Sequence, residues 1–184
     1  MNLSLDGYMS GPYDELDWHI ESWSEEMGEK LLELLENADT ILLGRKTYEA
    51  MAIYWSSKPR EQDFPRQDQA IADKMNRHTK IVFSASPTSI FWKNTKMTSR
   101  NITEEIHQLR HRHGKNMLLF GSGQLVSSCI ESGLVNEYQL WIHPVLLGKG
   151  KPLFRNLKKT MNLKLSGSVI LEPGVAVLRY QPVE

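Results

Sequence analysis

The chain has 184 residues, 40% of them hydrophobic, with 22 basic and 22 acidic side chains and a formal net charge of zero. This length supports one substantial core, and no Pro/Gly/Ser-rich linker divides it, so a single domain over residues 1–184 is expected. Charge balance excludes a global electrostatic case for nucleic acid or an anionic membrane, no apolar run approaches spanning length, and no basic-then-apolar leader opens the chain; the expected partner is a small molecule.

Asn2 to Leu5 alternate polar and apolar residues as a short strand, and Asp6-Gly7 supplies a turn before Tyr8 and Met9. The strand reads as cut short, so a few residues before Met1 are expected if it is central. Residues 10–19 read as a loop with Trp18 as its one large apolar residue. Ser22 and Glu25 have capping-box spacing, and Met27, Leu31, Leu34, Leu35 and Ala38 share one face of a helix ending near Asn37.

Thr40 to Leu43 reads as a buried strand, Gly44 as its turn, and Thr47 as the cap of a short helix through Tyr48, Glu49 and Met51. Arg45 and Lys46 lie between the glycine and that helix. A guanidinium fork, an ammonium and free helix N–H groups suit a phosphate monoester, and a solvated pair of surface charges is the alternative reading. Ile53 to Asp68 is irregular, with Tyr54, Trp55, Pro59, Phe64 and Pro65, and is a candidate wall or lid of a substrate pocket or a packed surface loop. Ala70, Ile71, Lys74 and Met75 suit a short helix. Lys80 to Phe83 forms a third strand before Ser84-Ala85-Ser86-Pro87, whose hydroxyls either join Arg45 on one phosphate or make a plain turn.

Lys96-Met97-Thr98 is strand-like, and Asn101 with Glu104 has capping-box spacing ahead of a helix that should stop at Gly114. His107, His111 and His113 lie among Gln108, Arg110 and Arg112 without a carboxylate in a zincin pattern, so no metal is assigned.

Met117-Leu118-Leu119-Phe120 then reads as a strand buried on both faces, followed by Gly121-Ser122-Gly123 and a helix on which Leu125, Val126, Cys129 and Ile130 recur, ending at Gly133. Strand, glycine turn and helix suit a phosphate, or are only a tight connection. A P-loop is excluded because Gln124-Leu125 follows the last glycine in place of Lys and Ser/Thr. A Rossmann fingerprint is excluded because Val126 stands where the third glycine belongs. Cys129, the only cysteine, excludes an internal disulfide and reads as a buried thiol, which fits a reducing cytoplasm. Val135 to Leu147 reads as a long strand bent at Pro144, Gly148 to Pro152 as a glycine-rich turn, and Leu163–Leu171 with Val175–Tyr180 as a terminal hairpin around Glu172-Pro173-Gly174.

Taken in order, Ser4-Leu5-Asp6-Gly7-Tyr8, Leu43-Gly44-Arg45-Lys46-Thr47-Tyr48-Glu49, Gly121-Ser122-Gly123-Gln124-Leu125, Gly133 to Tyr138 and Pro144 to Gly150 resemble the dihydrofolate-reductase-like superfamily. The branch they resemble contains the C-terminal reductase domain of bifunctional riboflavin-biosynthesis enzymes and stand-alone bacterial proteins. The resemblance implies an α/β fold: a mixed, mostly parallel sheet with flanking helices and a C-terminal antiparallel hairpin. It implies NADPH across the carboxyl ends of the strands. Gly44, Arg45, Lys46 and Thr47 would take the adenosine 2′-phosphate side, with Ser84 and Ser86 in the matching loop. Gly121, Ser122, Gly123, Gln124 and Leu125 would cradle the pyrophosphate, and Ser4 and Leu5 would meet the nicotinamide. The activity implied is hydride transfer to a C=N bond of a pterin-like or ribosylaminopyrimidine-like compound, with a nucleotide-binding protein lacking efficient turnover as the alternative. Asp6 is the motif-matched candidate for proton delivery or simply orders its turn, Glu25, Glu26 and Glu29 have no secure alignment, and Trp18, Tyr48 and Met51 either face a flat substrate or pack the core. The family suggests a homodimer, to which Tyr138, Leu140 and Trp141 could contribute.

Overall fold

The computed structural model describes residues 1–57, 66–86, 89–112, 114–155 and 157–183. Pro59, Phe64, Pro65, Pro87 and His113 lie outside the described residues. The chain forms two compact units, Met1–Met27 with Val126–Glu184, and Gly28–Leu125.

The first unit begins with β1 (Asn2–Ser4), β2 (Tyr8–Ser10) and the short helix α1 (Asp17–Ile20), which replaces the loop expected there. Helix α2 (Glu25–Glu36) starts under Ser24, whose hydroxyl oxygen accepts from the Met27 N–H at 3.3 Å. Ser24, not Ser22, therefore caps it. The second unit contains β3 (Ala38–Gly44), α3 (Arg45–Ser57), α4 (Arg66–Arg77), β4 (Thr79–Phe83), β5 (Thr95–Thr98), α5 (Ile102–Arg110) and β6 (Asn116–Leu119). Helix α6 (Gly123–Glu131) follows, and β7 (Tyr138–His143), β8 (Lys151–Pro152), β9 (Leu163–Leu171) and β10 (Val175–Pro182) complete the first unit.

In the second unit four parallel strands lie in the order β5-β4-β3-β6. Such a sheet needs helix-covered faces, and the apolar run Ile41-Leu42-Leu43 supplies its centre. Leu35, Ile41, Leu43, Tyr48, Ala52, Ile71, Met75, Val82 and Trp92 form its core. Lys80 is buried among them, its Nζ donating to the Met75 and Asn76 carbonyls at 2.9 and 3.1 Å and lying 4.7 Å from the Trp92 ring centre. Burial lowers its pKa to about 8. The carbonyls at the end of α4 and the indole face both favour the cation, so this ammonium acts as a helix C-cap.

Several sequence expectations change here. Strand β6 is the outer strand of its sheet and is half-buried, because only β3 pairs with it in this unit. Helix α3 runs to Ser57, so the irregular segment begins later than Ile53. Thr47 is the third residue of α3 and so cannot cap it from outside. Asn101 caps α5 as expected, accepting from the Thr103 N–H at 2.9 Å, but the helix stops at Arg110, before Gly114.

In the first unit the order is β1-β7-β10-β9, with β1 and β7 parallel and the other pairs antiparallel. The strand read as Val135–Leu147 is confined to Tyr138–His143 and ends at Pro144, which lacks the N–H that would continue the ladder. The terminal hairpin forms as expected, with Gly174 at φ 104° in its turn. Tyr138, Leu140 and Trp141 are buried in this unit, Trp141 stacking on Trp23, so they are core residues and not a dimer surface. Gly133 closes α6 at φ 64°, with the Leu134 N–H donating to Cys129 O and the Gly133 N–H to Ile130 O, and Cys129 is buried. Among the described residues no helix is long and apolar enough to cross a membrane.

Candidate functional site

Three parallel strands of the second unit end side by side. Gly44 pairs with Phe83 across β3 and β4, which puts Arg45 beside Ser84 at the carboxyl edge of the sheet. On the other flank the Gly44 N–H donates to Gly121 O at 2.9 Å. Both turns need glycine, for different reasons. A Cβ on Gly44 would lie 2.4 Å from Ser122 Oγ and 3.1 Å from the Ser122 nitrogen, whereas Gly121 has φ 118°, beyond the reach of most side chains.

This close approach brings together the N-termini of α3 and α6. Each leaves its first-turn N–H groups without intrahelical partners, and neither first turn contains an acidic residue. Helix dipoles favour anions at such ends, yet α3 opens with Arg45 and Lys46, a sequence that costs stability unless a negative group sits there. Arg45 Nη1 donates to Glu49 Oε1 at 3.1 Å, an exposed pair one turn apart. Such a pair contributes about 0.3–0.5 kcal/mol, little enough for the guanidinium to exchange it for a phosphate. Lys46 is exposed, with no ion pair among the described residues. Thr47 Oγ1 faces Gly121, Gln124 is exposed and Leu125 is buried. Ser84 Oγ donates to Ser86 O and accepts from the Ser86 N–H, so both serines form one hydroxyl-closed turn beside Arg45. The donor set fits a phosphate-bearing cofactor.

In the first unit, Ser4 and His143 are register partners at the carboxyl ends of β1 and β7. The Leu5 N–H donates to Val145 O at 2.8 Å. Asp6 Oδ1 accepts from Ser4 Oγ at 2.6 Å and from the Leu147 N–H at 3.2 Å, and Oδ2 accepts from the Gly148 N–H at 2.7 Å. The Ser4 hydroxyl and these loop N–H groups hold the Asp6 carboxyl below its usual range. A carboxylate kept ionised by three donors is a poor proton source, so Asp6 orders its turn.

Behind this edge lies a cluster that sequence reasoning missed. His143 is 1% exposed, its Nδ1 3.2 Å from Ser22 Oγ and its Nε2 3.2 Å from Asn2 Oδ1. Ser22 Oγ also donates to His19 O at 3.2 Å, which ties the three residues together. The Trp18 ring packs T-shaped with His19 and His143, at 4.8 and 5.3 Å between centres. Burial lowers both imidazoles to about 4. His143 closes the alternation of β7, but nothing local tells that Ser22 lies against it.

Tyr48 is fully buried and its hydroxyl oxygen accepts from the Phe91 and Trp92 N–H groups, while Met51 packs against the same core. Tyr48 thus serves the core, and Met51 is partly buried against it. Within the second unit, Gly44 to Thr47, Ser84 and Gly121 to Leu125 are brought together.

The family model described as the RibD C-terminal domain matches residues 1–177. The chain belongs to this family. It is 34% identical to the uncharacterized protein YyaP of Bacillus subtilis (strain 168) over 178 residues, 97% of this chain and 90% of that one. Among solved structures it resembles a candidate riboflavin biosynthesis protein of Shewanella sp. PV-4, with TM-score 0.76, 20% identity and coverage of 100% of this chain and 97% of that one. It also resembles dihydrofolate reductase from Enterococcus faecalis complexed with NADP(H), with TM-score 0.62, 14% identity and coverage of 100% and 94%. The fold is dihydrofolate-reductase-like and of reductase type.

Proposed function

We propose that this protein is an NADPH-dependent reductase acting on a C=N or related bond of a pterin-like or ribosylaminopyrimidine-like small molecule. The observation that supports this most is the Gly44–Gly121 contact, which sets two helix N-termini together beneath Arg45 and Lys46. When bound, NADPH supplies the hydride. Arg45 and Lys46 hold the 2′-phosphate, with Thr47 and the Ser84–Ser86 turn beside them. The glycine turn and first-turn N–H groups at Gly123 to Leu125 take the pyrophosphate. The reading includes a reducing cytoplasmic setting.

Because Asp6 is committed to Ser4, Leu147 and Gly148, the proton reaches the product from water or from another group. That commitment also favours the second reading, a nucleotide-binding protein of this fold without efficient turnover. Thermal unfolding with NADPH at about a hundred times its dissociation constant is expected to show roughly 2.7 kcal/mol of added stability. No shift with either NADPH or NADH would remove both readings. NADPH oxidation with dihydrofolate, a dihydropterin or a ribosylaminopyrimidine would reject the purely binding one.

A second copy of the chain completes the assembly in this reading, as a homodimer. Strand β9 is the outer strand of its sheet and exposes Leu165, Val169 and Ile170, an apolar edge that a partner strand would cover. Sedimentation should give a dimer of the 21.2 kDa chain, and a monomer at micromolar concentration would contradict it.

A further inference from the structure

Helix α3 carries its charges in an order that helix stability does not favour. Arg45 and Lys46 occupy its positive end, and the acid that answers Arg45, Glu49, stands one turn further in. Acid before base, four residues apart, is the better order along a helix, because each charge then also faces the dipole end that suits it. Here the sequence runs the other way. Arg45 Nη1 nevertheless reaches both carboxylate oxygens of Glu49, Oε1 at 3.1 Å and Oε2 at 3.4 Å, with the two side chains 42% and 41% exposed. This pair stands at the same carboxyl edge of the sheet as the Ser84–Ser86 turn.

We propose that Glu49 sets how strongly the protein prefers NADPH to NADH, its carboxylate opposing the 2′-phosphate of the first and accepting a hydrogen bond from the ribose 2′-hydroxyl of the second. The inference rests on the NADPH reading and adds to it a residue that discriminates between the two cofactors. A phosphate that takes the Arg45 guanidinium displaces a carboxylate tethered one turn away, which stays within reach. Glu49 then faces an anion, and like charges a few ångströms apart repel even where water and salt screen them. At this helix start two cations answer one carboxylate, so removing the charge of Glu49 raises the net positive charge offered to the phosphate. For a ribose hydroxyl the sign reverses. The hydroxyl is a donor that an ionised carboxylate accepts well, and an acid for the 2′-hydroxyl against a cation for the 2′-phosphate is a general chemical means of telling the two cofactors apart. This chain places both groups on one helix face, in contact. Lys46 projects from the next position round α3 and adds to the phosphate side alone.

The full chain, as wild type, Glu49→Gln and Glu49→Ala, is titrated calorimetrically with NADPH and, separately, with NADH. Glutamine removes the charge and keeps an acceptor, whereas alanine removes both. The side chain is partly exposed and its ion pair contributes little, so both variants should fold. Glu49→Gln is expected to lower the dissociation constant for NADPH about fivefold and to leave that for NADH within about twofold. Glu49→Ala is expected to tighten NADPH by about the same factor and to weaken NADH about threefold. The gain for NADPH should shrink at high salt. Adenosine 2′,5′-bisphosphate and adenosine 5′-monophosphate differ in the 2′-phosphate alone, and Glu49→Gln should divide them as it divides the two cofactors. A ratio of NADPH to NADH affinity that stays within about twofold of wild type in both variants, or weaker NADPH binding in Glu49→Gln, would overturn the inference while leaving the cofactor reading intact. A wild-type chain that binds neither cofactor would overturn both.

Discussion

Replacing Arg45 by alanine is expected to raise the dissociation constant for NADPH by about ten- to a hundredfold while leaving that for NADH within about threefold. The two cofactors differ in one phosphate group, so the ratio of the two losses isolates what the guanidinium reads. A hydrogen bond to a charged group contributes about 1.5–3 kcal/mol, and each 1.4 kcal/mol is a factor of about ten. Breaking the existing pair with Glu49 offsets little, since both side chains are about two-fifths exposed. The loss should also diminish at high salt, because Arg45 and Lys46 lie at the surface. Equal weakening of both cofactors in calorimetric titrations would mean that Arg45 does not read the 2′-phosphate. Lys46→Ala should follow the same pattern more weakly, as an ammonium makes no bidentate contact.

Acidification from pH 7 to pH 5 is expected to destabilise the protein by about 2 kcal/mol through His143 alone. Its pKa is about 4 when folded and 6.5 in an open chain, because burial disfavours the cation and the neighbouring His19 opposes it further. A depressed folded value means that the unfolded chain binds more protons between pH 6.5 and 4. The contribution is therefore fully present above pH 6.5 and is lost as pH falls toward 4. His19 acts in the same direction, also from about 4, with a smaller share because it is only partly buried. Urea unfolding at the two pH values measures the loss, and His143→Phe, which keeps an aromatic edge against Trp18, should reduce the difference. Imidazole resonances of His19 and His143 that titrate near pH 6.5 would contradict the burial argument.

The glycine-turn site was legible because its signals are local. Gly44, Gly121 and Gly133 announce turns in their own segments, and Asn101 finds its partner two residues away. The family resemblance then joined Arg45, Ser84 and Gly121, which strand register places in a row. Other features depend on distant partners. For Tyr48 a substrate-facing and a core role look the same on an amphipathic helix; only the loop at Phe91 and Trp92 shows that its hydroxyl is occupied. Ser22 had capping spacing, yet Ser24 caps α2 and Ser22 turns to His143, 121 residues on.

By itself, the sequence determined the kinds of elements, the positions of the glycine turns, the terminal hairpin and the placement of two cations at a helix start. Periodicity and backbone sterics act over a few residues and are written in the chain. Tertiary structure alone decided that Asp6 is held by Ser4, Leu147 and Gly148, that His143 is buried and His19 half-buried beside Trp18, and that Leu5 and Leu146 are exposed. Each of these depends on which distant groups surround a side chain, as with Asp6 and the Gly148 N–H 142 residues away. A carboxylate's chemistry is set by the donors that reach it, and those are fixed only when the strands pair.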